Sequence, residues 1–241
     1  MDKNYVLSLP TANDFNAVVN AALCNNEINK DDWYELNSLY FTKLYLSSDN
    51  PRAQSGHSGD EFHYRFSMLP ILEAVYKDGT FLDVGCANGH LMEMLYKWGK
   101  GIGFDLQMYG VEISEGLFEL AKNRLPQWHD RFFLGNSFYW KPDHKFDYIH
   151  IGGLGQVPDD DRCAFFNHLM EHYLVDGGRM IMGPYWVDIN DTSQHRFLDS
   201  RDITEKLIRD FGLSPTGYFE KTHYSKSNMI RKRTAIWFDK K

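Results

Sequence analysis

The sequence predicts an α/β protein. We expect a doubly wound, mostly parallel seven-stranded sheet with an antiparallel C-terminal hairpin and an N-terminal helical cap. Three observations support this: helical periodicity before residue 60, short apolar runs alternating with helical patterns from residue 80 to residue 182, and two further apolar runs near the C-terminus. The 241 residues, 43% hydrophobic and 24% charged, exclude a largely disordered, collagenous or coiled-coil chain.

Residues 1–60 are predicted to form the helical cap and a lid loop, and residues 61–241 the main domain. Asn13 or Thr11 can cap a short helix that runs through Ala22, and Asn29 can cap a second helix up to about residue 46. Apolar side chains of the second helix recur at three- and four-residue steps, which marks one buried face. These side chains are Trp33, Leu36, Tyr40 and Leu44.

Strands and helices alternate through the main domain, which is typical of a parallel sheet covered by helices on both faces. The predicted strands are residues 81–84, 109–113, 131–134, 148–151, 179–182, 217–222 and 234–238. The predicted helices are residues 61–76, 90–98, 115–124, 160–173 and 202–211.

The stretch TFLDVGCANGHL, residues 80–91, is the most informative motif. An apolar strand ends near Asp83, small residues follow, and an apolar helix begins after Gly89. Glycines let the backbone turn sharply and approach a ligand closely, and the following helix presents free N–H groups. Such ligands bind beyond the carboxyl ends of the strands, so this stretch predicts a nucleotide-type crevice.

The pattern of small residues excludes two common nucleotide sites. A dinucleotide fingerprint that starts at Gly85 would need glycines where the chain has Ala87 and His90. The phosphate loop G-K-[ST] is absent from the stretch. An acid at the end of the strand would repel a pyrophosphate but would suit an ammonium group.

The segment LDVGCANG resembles the first motif of the class I (Rossmann-like) S-adenosylmethionine-dependent methyltransferases, with Ala87 in place of the usual middle glycine. The resemblance implies that Asp83 helps to hold the methionine end of the cofactor. It also implies that Gly85, Cys86, Ala87 and Gly89 form a glycine loop beneath that cofactor. S-adenosyl-L-methionine would then be the methyl donor and S-adenosyl-L-homocysteine the product.

The segment YGVEISEGLFELA resembles the family's second motif, in which an acid at the end of strand two binds both ribose hydroxyls. This implies a ribose contact for Glu112, beside Ile113, and a carboxylate can accept two hydroxyl protons. Asp105 is a rival for the role. Glu112 is preferred because ISEGLFELA gives the better following helix.

Three later segments continue the resemblance in order, so that it covers residues 79–240. Asn136 and Ser137 stand where the family often has Asp-Ala, and the Asn136 carbonyl oxygen can accept the adenine amino group. The segment FDYI resembles the fourth motif. The segment LVDGGRMIM resembles the Gly-Gly turn before strand five.

The sequence offers fewer candidate catalytic residues than candidate cofactor-binding residues. His150 ends strand four and is expected to face the cleft as a general base, although a histidine hydrogen-bonded within the strand is the alternative. His195, after strand five, is a second candidate. Residues 51–57 are either a lid, with Arg52 or Gln54 reaching the methionine carboxylate or the substrate, or a helix-capping loop.

The resemblance implies methyl transfer to an O or N atom of a small-molecule acceptor, with the cap closing the acceptor pocket. The alternatives are an RNA or protein methyltransferase that uses a basic C-terminal edge, and a non-catalytic cofactor-binding module. Residues 221–241 hold seven Lys or Arg against one acid, but the net charge of the chain is −7, which makes a nucleic-acid partner less favoured.

The remaining composition predicts a cytoplasmic protein without a membrane segment or a metal site. The three cysteines are dispersed and lack zinc-ligand spacing. The first residues lack the basic and apolar regions of a secretory signal, and no run approaches the length of a membrane span.

Overall fold

The computed structural model describes residues 1–57, 59–188, 200–224 and 230–241. Its centre is a seven-stranded sheet with the order β3-β2-β1-β4-β5-β7-β6. The first five strands are parallel, and β7 lies antiparallel between β5 and β6. The strands are β1 (Gly79–Val84), β2 (Leu106–Glu112), β3 (Phe132–Leu134), β4 (Phe146–Ile151), β5 (Leu174–Asp188), β6 (Gly217–Tyr224) and β7 (Ile230–Asp239). The predicted fold class is confirmed.

Helices cover both faces of the sheet. In the described part of the chain, none of them is long and apolar enough to cross a membrane. They are α1 (Lys3–Leu7), α2 (Ala12–Cys24), α3 (Lys30–Tyr45), α4 (Glu61–Glu73), α5 (His90–Gly101), α6 (Glu115–Arg124), α7 (Arg162–His168), which continues as a π-helical turn (Leu169–Tyr173), and α8 (Ser200–Phe211).

The starts of the cap helices agree with the sequence. The Thr11 hydroxyl accepts a hydrogen bond from the Asp14 backbone N–H at the start of α2. At α3, Asn29 and Asp32 form a reciprocal capping box, each side chain accepting from the backbone N–H of the other. The short α1 was not predicted, because five residues are too few to show a periodic apolar face.

Six of the seven strands are longer than the sequence predicted, and β2 and β5 show the reason. β2 begins at Leu106 rather than at residue 109, and β5 extends on both sides of residues 179–182. The exposed Gln107 and the pair Gly177-Gly178 interrupt the apolar pattern that was used to place these strands. Pairing continues beyond the apolar residues, since Leu106 lies opposite Gly79 on β1. Ladder partners therefore set the ends of these strands.

The cap packs into the core of the main domain. Phe15 and Leu36 of the cap are fully buried in one apolar cluster together with Val84, Val111 and Ile151 of the central strands. A second cluster on the other face of the sheet is built from α4, α5 and α6. The cap and one face of the sheet therefore share a continuous core.

Candidate functional site

A cavity of about 260 Å³ lies at the carboxyl ends of β1, β2, β3 and β4, and we call it the main cavity. One wall is helix α3 of the cap. The strand-end wall consists of Gly85, Ala87, Val111, Glu112, Ile113, Ser114, Leu117, Gly135, Asn136, Ser137, Gly155 and Gln156. The α3 wall consists of Trp33, Tyr34, Asn37, Ser38, Phe41 and Tyr45.

The glycine loop, residues 85–89, turns sharply between β1 and α5. Gly85, Ala87 and Gly89 all adopt positive φ angles, of 74°, 47° and 73°. Gly85 and Ala87 line the main cavity. Cys86 instead packs into the core on the α4–α6 face, where burial raises the pKa of its thiol. A neutral buried thiol is a filler and not a nucleophile.

Gly89 is required by packing as well as by backbone conformation. A Cβ atom at this position would lie 2.8 Å from Leu125 Cδ1 and 3.1 Å from the Phe132 ring, and both side chains are buried. Gly103 has a φ of 97° with no atom within 4 Å of its Cβ position. We expect Gly89→Ala to lower the free energy of unfolding by about 2–4 kcal/mol and Gly103→Ala by about 1 kcal/mol.

Urea denaturation of the two glycine variants beside the wild type measures this difference. Equal losses in the two variants would show that backbone strain alone, without the Leu125 and Phe132 contacts, requires glycine at residue 89.

Glu112 is the most constrained polar side chain of the main cavity. Its carboxylate accepts a 2.8 Å hydrogen bond from the backbone N–H of Ala87 and another of 2.8 Å from that of Ser114. Burial raises the Glu112 pKa, and these backbone donors oppose that effect. Glu112 thus fixes the glycine loop to the end of β2. The rival Asp105 is exposed and precedes β2, at the opposite end of the strand from the cavity.

Asn136 and Ser137 follow β3 and line the main cavity, but the Asn136 carbonyl oxygen is already engaged. It accepts a 2.9 Å hydrogen bond from the Phe138 backbone N–H, which can only donate. This bond uses one of the two lone pairs of the oxygen, so the second can still accept an adenine amino group, and the side-chain amide nitrogen remains a donor for a ligand.

Tyr34 of the cap was missed by the sequence analysis. Its side chain lines the main cavity, and its buried hydroxyl has no hydrogen-bond partner among the described residues. Burial raises the Tyr34 pKa, and the neighbouring Asn136 side chain opposes part of this effect. A buried hydroxyl without a full hydrogen bond, on a side chain that lines a cavity, makes Tyr34 a candidate ligand contact.

Asp83 and His150 form a buried pair beneath the glycine loop. Asp83 Oδ1 lies 2.7 Å from His150 Nδ1, and His150 Nε2 lies 2.7 Å from the Gly183 carbonyl oxygen. The carbonyl can only accept, so Nε2 carries a proton, and a second proton must lie between Asp83 and Nδ1. Both ring nitrogens of His150 are engaged, which leaves none for a substrate. The structure therefore shows the hydrogen-bonded alternative. His195 lies outside the described residues.

Comparisons with known proteins agree with this geometry. The profile of the family described as "Methyltransferase domain" matches residues 81–178. The strand order 3-2-1-4-5-7-6 carries the matched motifs at the carboxyl ends of the strands. Residues 81–178 therefore match a methyltransferase domain, and the chain has the class I (Rossmann-like) methyltransferase fold.

Three solved methyltransferases share the fold. The 1,6-didemethyltoxoflavin-N1-methyltransferase of Burkholderia thailandensis, with 1,6-didemethyltoxoflavin and S-adenosylhomocysteine bound, is 14% identical with a TM-score of 0.56, and the match covers 89% of this chain and 92% of that one. A Leishmania major S-adenosylmethionine-dependent methyltransferase is 16% identical, with a TM-score of 0.56 and coverages of 85% and 82%. One from Geobacter sulfurreducens, with S-adenosylhomocysteine, is 12% identical, with a TM-score of 0.53 and coverages of 82% and 96%. No curated protein gave a significant match.

The polar segment that precedes α4 is hydrogen-bonded to the glycine loop. The Asn88 side-chain amide donates to the Pro51 carbonyl oxygen at 2.9 Å and to Gln54 Oε1 at 3.2 Å. Arg52 turns the other way and pairs with Glu61 at 3.1 Å. Neither Arg52 nor Gln54 is among the described residues that line the main cavity. Hydrogen bonds from Asn88 therefore hold this segment against the glycine loop.

His90, at the start of α5, makes the stability of the fold sensitive to acid. Burial, together with the Arg124 charge, lowers the His90 pKa to about 4. An unfolded histidine titrates near pH 6.5, so the unfolded chain takes up this proton first as the pH falls. The free energy of unfolding is expected to fall by about 3 kcal/mol between about pH 6.5 and about pH 4 through this group.

Urea denaturation across this pH range, for the wild type and for His90→Gln, measures the effect. In the variant, the free energy of unfolding should fall less steeply with decreasing pH. It should still fall, because burial and the Arg233 charge also lower the His57 pKa. Parallel pH profiles for the two proteins would contradict the assignment to His90.

Three basic side chains of the described C-terminal edge, Lys232, Arg233 and Lys240, make contacts within the fold. The buried Arg233 guanidinium stacks on Trp186 at 3.4 Å. Lys232 pairs with Glu220 at 2.9 Å, and Lys240 donates to the Leu174 carbonyl oxygen at 2.9 Å. These contacts weaken the case for a continuous basic surface that could bind RNA.

Proposed function

We propose that this methyltransferase transfers the methyl group of S-adenosyl-L-methionine to an O or N atom of a small-molecule acceptor. The observation that carries the proposal is the Glu112 carboxylate, held at the end of β2 in a cavity that the glycine loop also lines. A carboxylate has about four lone-pair sites. Two are used by backbone N–H groups, and the others can accept two neighbouring hydroxyls of a ribose.

The other walls of the main cavity fit the rest of the same cofactor. Asn136, Ser137 and the Tyr34 hydroxyl supply polar groups for the edge of an adenine, beside the apolar side chains of Ile113 and Leu117. Backbone without side chains is available at the glycine loop, where a ligand can approach closely. We therefore assign the adenosine to the β2–β3 end of the cavity and the methionine part to the glycine-loop end.

The cofactor supplies a methyl group on a positively charged sulfur, and that charge disappears during the transfer. The residues of the chain align the reactants and exclude water, and these two effects can supply most of the acceleration. Helix α3 closes one side of the main cavity with Trp33, Phe41 and Tyr45. His150 is tied up by Asp83 and Gly183, so we assign it a positioning role beneath the glycine loop.

Calorimetry with S-adenosylhomocysteine and with NAD tests the first part of the proposal. We expect binding of S-adenosylhomocysteine and no binding of NAD, because the dinucleotide fingerprint is absent. Transfer of a labelled methyl group is then measured with small phenols and amines, with total RNA and with a protein mixture. Labelling of RNA or protein alone would overturn the small-molecule proposal, and binding without any transfer would favour a non-catalytic module.

A further inference from the structure

A second, smaller cavity of about 150 Å³ lies beside the main cavity, and we call it the side cavity. It lies between the segment that follows β4, the far part of β5, and helices α7 and α8. Its lining residues are Leu154, Gly155, Arg162, Tyr185, Ile203, Lys206, Leu207 and Phe211.

Gly155 borders both cavities. Apart from its two chain neighbours, no residue has an atom within 4 Å of the position that a Cβ atom would occupy at Gly155, so no side chain from another element fills that space. The boundary lies just beyond the carboxyl end of β4, on the side of the main cavity away from β2 and β3. A molecule in the side cavity and a ligand of the main cavity would therefore have Gly155 as a common wall.

The size and the walls of the side cavity fit one six-membered ring. Leu154, Ile203 and Leu207 are buried apolar side chains, and Phe211 completes the wall from the end of α8. A cavity of about 150 Å³ with aliphatic and aromatic walls is sufficient to hold a benzene ring.

The charges of the side cavity have one sign. Among the described residues that line it, Arg162 and Lys206 are cationic and none is acidic. Their carboxylate partners, Asp159 and Asp210, each at 2.6 Å, are not part of the lining. An anionic ring would compete with these carboxylates for the two cations and gain their attraction, whereas a neutral or a protonated ring would not.

We propose that the side cavity binds the methyl acceptor and that this acceptor is a single-ring phenol in its phenolate form, an inference that rests on the methyl transfer proposed above. The phenol first loses its proton to solvent. The phenolate oxygen then forms a bond to the methyl carbon while the carbon–sulfur bond breaks and its electron pair stays on sulfur. The products are an aryl methyl ether and S-adenosylhomocysteine. A phenolate stabilised by Arg162 and Lys206 needs no histidine base.

The probe for this proposal is 4-nitrophenol, because its visible absorption reports its ionisation. We expect saturable binding to protein that is first saturated with S-adenosylhomocysteine, with more phenolate in the bound probe than in the free probe at the same pH. The neutral 4-nitroaniline, of the same shape, should bind more weakly. With S-adenosylmethionine, the phenolate absorption should decay as 4-nitroanisole forms.

Two pairs of α8 variants locate the binding. Lys206→Gln should weaken 4-nitrophenol binding about threefold and reduce its ionisation, and Arg209→Gln should change neither. Both side chains pair with Asp210, but only Lys206 lines the side cavity. Leu207→Trp should fill the cavity and weaken binding at least about tenfold, whereas Ile208→Trp, at a half-exposed neighbour, should leave it unchanged.

The outcomes separate the two proposals. S-adenosylhomocysteine affinity is measured first, on the wild type and on every variant. If the wild type did not bind S-adenosylhomocysteine, the proposed function itself would be overturned. Intact S-adenosylhomocysteine binding with no binding of 4-nitrophenol, with equal binding of 4-nitroaniline, or with equal responses of Lys206→Gln and Arg209→Gln would overturn the phenolate site alone. If Leu207→Trp failed to fold, the comparison of Lys206→Gln with Arg209→Gln would still test whether the side cavity binds the phenolate.

Discussion

Replacing Glu112 with alanine is expected to weaken S-adenosylhomocysteine binding at least about a hundredfold. The substitution removes the acceptor of two proposed ribose hydroxyl bonds, and hydrogen bonds to a charged group each contribute about 1.5–3 kcal/mol. It also leaves the backbone N–H groups of Ala87 and Ser114 without their carboxylate, so the glycine loop loses its tie to β2. Calorimetric titration with S-adenosylhomocysteine measures the loss.

The matched control is Asp105→Ala, which removes an exposed carboxylate that precedes the same strand. We expect this variant to bind within about twofold of the wild type, as is usual for surface substitutions. Urea denaturation of both variants without ligand separates loss of the contact from loss of the fold. If Asp105→Ala weakened binding more than Glu112→Ala, the ribose site would have to be moved away from Glu112.

The order of the elements and the position of Glu112 were predictable because both depend on local pattern. Apolar runs followed by helical periodicity identify strand–helix units, and the carboxyl end of a strand in such a unit is where a ligand site forms. Glu112 is the last residue of β2, and the helix signal that follows it set the choice against Asp105. Both features can be read within about ten residues of the chain.

The role of the cap was not predictable to the same degree. The apolar stripe of α3 predicts a helix with one buried face, but it does not show which surface buries that face. The cap was expected to close an acceptor pocket. In the structure, Leu36 packs into the core of the sheet and Tyr34 lines the main cavity. This placement depends on packing between segments about a hundred residues apart. The periodicity of apolar residues along one helix carries no information about such packing.

The contact between Asp83 and His150 was less predictable than the position of Glu112 and more predictable than the role of the cap. The residues are 67 positions apart in sequence, but they are direct register partners on the parallel strands β1 and β4. The motif resemblance treated each separately, Asp83 as a cofactor contact and His150 as a candidate base. Knowing that β1 and β4 are neighbours would have placed both on the same face of the sheet, because parallel partners share a face.

This pairing changes what a substitution of Asp83 should do. Asp83→Ala leaves His150 buried with an unpaired Nδ1, and removal of one partner from a buried pair lowers the free energy of unfolding by about 3–5 kcal/mol. Asp83→Asn keeps a partner, since the asparagine amide can donate to Nδ1 of a neutral imidazole whose Nε2 still donates to Gly183. We expect the asparagine variant to lose about 1 kcal/mol. Urea denaturation compares the two.

The same asparagine variant shows whether Asp83 positions the glycine loop or contacts the cofactor through its charge. The pair holds one proton between its members, so its net charge is zero and its electrostatic attraction for an ammonium group is small. If Asp83 acts by fixing the glycine loop, Asp83→Asn should bind S-adenosylhomocysteine within about threefold of the wild type. A loss of tenfold or more in a variant of nearly unchanged stability would instead show that the carboxylate charge contacts the methionine end directly, as the first motif implies.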